Sequence, residues 1–173
     1  MLDGIYDAAS FLLSIAVERY LVNARDRLQD RASALSRDEK SILAPYFAPA
    51  DVNRIRVLVA DPLPVRNPPF VSTLRRLGYD FPGLEWTAAM TLDDVIVSRE
   101  QMPAALLFHE AIHSSQARIL GLRKFAYLYV RGFLTTRSYH DIPLERCAFH
   151  LENRFLARDH FKAEEEIRRW FHL

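Results

Sequence analysis

The stretch His109-Glu110-Ala111-Ile112-His113 constrains this chain more than any other. Two histidines four positions apart on a helix project from one face, so both imidazoles can hold a single metal ion. The flanks make that helix a buried one. Pro103 to Phe108 leads in, and Ile119 and Leu120 follow. Pro103 suits a first turn, Ser98 or Gln101 offers a cap, and Gly121 suits the stop. The glutamate beside the first histidine is placed to act as general base on a water held by the ion. Zinc is therefore the expected cofactor and metal-assisted hydrolysis the expected chemistry.

A catalytic zinc site needs a third protein ligand and an open fourth position. The segment Tyr139-His140-Asp141-Ile142-Pro143-Leu144-Glu145 supplies candidates. Asp141 reads as a helix N-cap and Pro143 as part of the first turn, which puts Glu145 on a rigid helix start. Ala148 lies a turn later and is small enough for two helices to pack closely. Glu145 is the first choice of third ligand, and His140, in the preceding loop, the second. His150 falls on another face, Cys147 is a soft ligand at the wrong angle, and Glu152, two turns beyond Glu145, suits an outer supporting role. Glu110 is the expected base, and Tyr139, then His140, are the candidates for stabilising an oxyanion.

These residues resemble a known family. On His109, Glu110, His113 and Gln116, then Tyr139, Ile142, Pro143, Glu145 and Ala148, the run Phe108 to Phe149 is similar to the compact metallopeptidase-like domain DUF4157. The likeness spans about a quarter of the chain, and its ligand set resembles that of gluzincins. It implies a zincin-like fold with zinc on His109, His113 and Glu145 and with Glu110 as base. It also implies an edge strand beside the metal helix that pairs with extended peptide. One departure stands out. Thermolysin-type gluzincins place an Asp four residues after the ligand glutamate to orient the first histidine, whereas this chain has Phe149 there. Another group must orient that histidine.

The remaining sequence reads as α+β and mostly helical, one domain over residues 1–173, with a small sheet before the metal helix and a helical C-terminal half. Residues 1–35 read as a long amphipathic helix, because Ile5, Ala9, Leu12, Ala16, Tyr20, Ala24 and Leu28 recur at helical spacing. That segment packs on the core or docks a partner, and it is long enough to cover a cleft. Ser36 and Glu39 form a capping-box pattern opening a helix to Leu43. Arg54 to Ala60 reads as a strand, Asp61 to Pro69 as a loop, Val71 to Leu77 as a short helix, and Thr91 to Ser98 as containing a second strand. Within the last, Val95 to Ser98 is either the peptide-binding edge or an internal strand. Helices follow over 122–134, 141–158 and 163–171.

Charge is nearly balanced, with 23 Lys and Arg against 22 Asp and Glu, so nothing draws the chain to nucleic acid or to anionic membranes. A single cysteine excludes an internal disulfide framework. The apolar run Phe11 to Val17 follows Asp3 and Asp7, which fits neither a signal peptide nor a spanning helix, so a cytoplasmic location is expected. A deformylase would need a cysteine ligand upstream, and a SprT-like protease a third histidine ligand. The reading is a zinc metallopeptidase acting on a peptide or protein substrate. The alternative is a non-catalytic metal-binding or interaction module, which has no use for Glu110 beside its ligands.

Overall fold

The computed structural model describes residues 2–76, 78 and 87–173. In chain order these form helix α1 (Leu2–Leu28), a 3-10 turn (Gln29–Arg31), strand β1 (Ser33–Ala34), helices α2 (Arg37–Leu43) and α3 (Pro49–Arg54), strand β2 (Arg56–Val59) and helix α4 (Pro69–Arg76). Strands β3 (Ala89–Leu92) and β4 (Val95–Ser98) follow, then helices α5 (Ala104–Leu120), α6 (Leu122–Thr136), α7 (Pro143–Leu156) and α8 (Ala163–Trp170). The architecture is α+β and mostly helical, with a small sheet ahead of the His-Glu helix.

The four strands lie in the order β1-β2-β4-β3. β2 and β4 are parallel, while β1 pairs with β2 and β3 with β4 antiparallel. All four residues of β4 are buried, because helices cover both faces of the sheet. Ile96 points into a cluster with α2, α5, α7 and α8, while Val95 and Val97 point into a second cluster with α1 and α6. This is the two-residue period of a strand expressed as two half-cores. Val95 to Ser98 is therefore the internal strand, and the edge beside the metal helix is β3. In the antiparallel register Thr91 lies opposite Ile96. It therefore shares that residue's face and looks toward α5.

α5 runs through the middle of the molecule, with every residue from Leu107 to Ala117 buried. Such a helix cannot keep a solvated polar face, so each of its polar side chains must find a partner inside. Pro103 takes its N-cap position with no side-chain cap, so neither Ser98 nor Gln101 caps it; Ser98 Oγ donates instead to the Glu100 carbonyl. The Ser36–Glu39 capping box forms as its pattern implies. Asp141 does not cap α7, because Ile142 occupies the cap position and Pro143 the first turn.

The N-terminal helix stops at Leu28, short of the expected 35, and the chain passes through the 3-10 turn into β1. Leu21, Ala24 and Leu28 bury themselves along one side of α1. Polar ties hold the rest. Asp7 pairs with Arg131, Glu18 with Arg123, and Arg25 grips Asp94 in the β3–β4 turn through two hydrogen bonds of 2.8 and 2.9 Å. The helix expected over 71–77 is α4, although Leu77 itself lies outside the described residues. Among the described residues no helix is long and apolar enough to cross a membrane.

The α6–α7 connection depends on Gly132. A Cβ built there would sit 2.6 Å from Cδ of Pro143 and 3.2 Å from Cγ2 of Ile142. Alanine is the better helix former by about 1 kcal/mol, but overpacking against a rigid proline ring costs about 1–3 kcal/mol. Gly132→Ala is expected to lower stability in chemical denaturation, and an unchanged or higher midpoint would contradict this packing.

Candidate metal centre

Three donor atoms meet where α5 crosses α7. His109 and His113 lie one helical turn apart on α5, and their Nε2 atoms are 3.1 Å from each other. Oε2 of Glu145, in the first turn of α7, lies 3.4 Å from Nε2 of His109 and 3.3 Å from Nε2 of His113. All three side chains are buried, Glu145 to 2 % exposure. Ala148, fully buried one turn after Glu145, leaves room for the two helices to come this close.

The triangle fits a metal ion. Tetrahedral bonds of about 2.0–2.1 Å set ligand atoms about 3.3–3.4 Å apart, which is the size of this triangle. The outer nitrogens settle the proton positions. Nδ1 of His109 faces Oε2 of Glu152 at 2.9 Å, and Nδ1 of His113 faces Oε1 of Gln116 at 2.9 Å. The Gln116 amide cannot turn round, because its Nε2 donates to the Leu144 carbonyl at 3.0 Å. Both imidazoles therefore carry hydrogen on Nδ1 and turn Nε2 inward, as a lone pair toward a bound metal and, for His113 in the metal-free protein, with a second proton that faces Glu145. Glu145 Oε2 has no hydrogen-bond partner of its own. Three buried acceptors this close repel one another unless a proton or a metal ion lies between them.

Gln116 does more than orient an imidazole. By holding the Leu144 carbonyl it docks the start of α7 against α5, one residue before Glu145. Glu152 occupies the orienting role that Phe149 cannot fill, and the Phe149 ring instead packs on His109 with centroids 4.6 Å apart. Glu110 lines the same cavity as the two histidines and is tied to β3. Its Oε2 accepts a 2.6 Å hydrogen bond from Thr91 Oγ1, with both residues buried. Thr91 was invisible to motif reasoning, because the contact depends on strand register.

The other sequence candidates separate. Tyr139 lines the cavity that holds the metal-ligand group. Burial pushes its phenol well above the ordinary tyrosine range, and the nearby Glu145 charge adds to this, so it stays protonated and able to donate. His140 is exposed, its ring 5.4 Å from Tyr139 and 5.3 Å from Phe149, and it does not join the ligand group. The loop turns it to the surface, outside the group of metal-ligating side chains. His150 is exposed against Trp170. Cys147 is buried in the apolar cluster, and burial pushes its thiol up to about 12. Among the described residues, His109, His113 and Glu145 are the group able to hold a metal ion.

The same electrostatics determine a pH dependence. Burial alone would pull the His113 pKa down, but the Glu145 carboxylate outweighs it and pushes the value up to about 9. Burial likewise works against the charged form of Glu145, but His113 and His109 hold it well below the usual carboxylate range. A raised histidine stabilises the metal-free fold fully below about pH 6.5, and that contribution is lost as pH rises through about 9. Metal binding must displace the same proton. Zinc affinity, read by competition with a chelator, is expected to tighten about tenfold per pH unit from 6.5 to 8.5 and to level off above 9. Affinity independent of pH over that interval would contradict the proton-sharing geometry.

No protein-family model, curated protein or solved structure matches the chain.

Proposed function

We propose that this chain is a zinc-dependent metallopeptidase whose ion is held by His109, His113 and Glu145 and whose general base is Glu110. The observation that carries the reading is the pairing of two features. An inward-facing His-His-Glu group has outer partners on both imidazoles. Directly beside it, a buried glutamate that is not part of that group is held in place by Thr91. A purely structural site has no use for the second feature.

An ion bound there supplies Lewis acidity toward a scissile carbonyl and draws the pKa of water toward neutrality. The protein's own groups do the rest. Glu110 takes one proton from the attacking water through the carboxylate oxygen that Thr91 leaves free, and delivers it to the departing amine as the C–N bond breaks. The protonated Tyr139 hydroxyl, in the same cavity as the ligands, donates to the developing oxyanion. Residues Thr87 to Thr91, along and before the β3 edge, line the cavity, so an extended peptide can pair with that edge beside the ligands.

The test compares wild type with Glu110→Gln, both zinc-loaded, on unfolded casein and a mixed peptide library. Hydrolysis is expected in wild type and a loss of about 10²–10⁴-fold in the variant, with zinc content unchanged. Equal rates in the two proteins would remove Glu110 from the chemistry. A zinc-loaded wild type that cuts nothing would leave the non-catalytic metal-binding module as the function.

A further inference from the structure

The cavity that holds the metal-ligand group has a volume of about 610 Å³ and extends well beyond those ligands. A cavity of about 150 Å³ already accommodates a benzene ring, so this space is roughly four times what one aromatic side chain needs. Its excess is lined by α1 and α6, through Val17, Tyr20 and Leu21 of the first and Phe125, Val130 and Leu134 among others of the second, and the two helices close on each other where Val17 packs against Val130 and Leu134. Phe125 and Leu134 are nine positions apart, so the α6 wall covers about 13 Å of helix axis. Phe125 lies near the metal group, its ring centroid 6.3 Å from that of His113.

The polarity of this slot excludes a peptide backbone. The main-chain groups of α1 and α6 are spent within their own helices, so neither wall offers a ladder partner. Among the described residues, the side chains these two helices contribute to the lining carry two polar atoms, the hydroxyls of Tyr20 and Tyr129. A polypeptide brings a donor and an acceptor with every residue, and burying them unpaired is costly. A hydrocarbon chain brings none. Among the described residues no lysine or arginine lines the cavity, while three carboxylates stand at its metal end, so the lining disfavours an anionic group there. On the other side of the ligands the β3 edge does offer backbone partners.

We infer that the slot between α1 and α6 binds a long aliphatic chain, and that the substrate is an acylated peptide or similar amphiphile. Its amide lies along β3, and its hydrocarbon chain fills the slot. The position of the amide rests on the metallopeptidase reading, whereas binding of the chain does not. Tyr20 supports an occupant of this kind. Its hydroxyl is buried without a hydrogen-bond partner in the slot wall, and burial pushes its pKa up to about 12, so it remains a neutral donor for one polar atom of a ligand. The aromatic and branched walls then take the chain.

The experiment is calorimetric titration of the full chain, metal-free and zinc-loaded, with hexanol, octanol and decanol. Affinity is expected to rise about tenfold for each two added methylenes in both forms. Val17→Trp and Val130→Trp fill the slot from α1 and from α6, and each is expected to abolish the chain-length dependence while circular dichroism reports the native helix content. Either variant suffices if the other fails to fold. Affinity that does not change with chain length, or a dependence intact in a folded slot-filling variant, overturns the inference. Alkanol binding in a chain that takes up no zinc would reject the metallopeptidase reading alone. Zinc binding and peptide hydrolysis without alkanol binding would reject the aliphatic slot alone.

Discussion

Three atoms able to share one proton or one metal ion sit 3.1–3.4 Å apart in the interior, and much of the structure serves to keep them there. Two come from one turn of α5, so their spacing is a property of the helix itself. The third arrives on α7 and depends on tertiary packing. Gln116 reaches from α5 to the carbonyl of Leu144, Ala148 allows a close approach, and Gly132 lets α6 pass the proline that begins α7. Each is a small contact, yet each acts on the residue next to Glu145 or on the helix that carries it. Burial then turns geometry into chemistry, because in a medium of low polarizability the three donors have no water to soften their repulsion.

The outer contacts explain why the cluster is more than a coincidence of buried histidines. A histidine that merely satisfies its hydrogen bonds in a core would use both nitrogens. Here the two Nδ1 atoms are satisfied by Glu152 and Gln116, while the two Nε2 atoms converge with a carboxylate oxygen that has no hydrogen-bond partner. The base is tied to another element altogether. Thr91 belongs to the edge strand β3, so the strand proposed to align substrate is also the one that positions Glu110. Substrate alignment and proton transfer thus share one support.

Much of this site was legible in the sequence for local reasons. Residues four apart on a helix share a face whatever surrounds them, which is why His109 and His113 could be paired from spacing alone. Glu152 follows Glu145 by seven positions, nearly two full turns, and its outer supporting position could be anticipated in the same way. What depends on long-range order was not legible. β3 and β4 are equally short and apolar, so only their pairing reveals that β4 is internal and β3 the edge. The Thr91–Glu110 contact follows from that register. β1 has two residues and α3 six, too few for any period to register. Nearness in sequence made His140 a candidate ligand, but the direction a loop takes over its last residues is decided by packing, which leaves it outside the ligand group. The slot between α1 and α6 belongs to the same class, being built by two helices about a hundred residues apart in the chain.

The central claim is that a metal ion sits on His109, His113 and Glu145, and X-ray absorption at the zinc edge of the loaded protein tests it directly. The account predicts one zinc per chain with a first shell of nitrogen and oxygen at about 2.0–2.1 Å, two imidazoles in the outer-shell scattering and no sulfur. A sulfur contribution at about 2.3 Å, which in this chain implicates Cys147, would contradict it. So would a protein that retains no zinc after reconstitution.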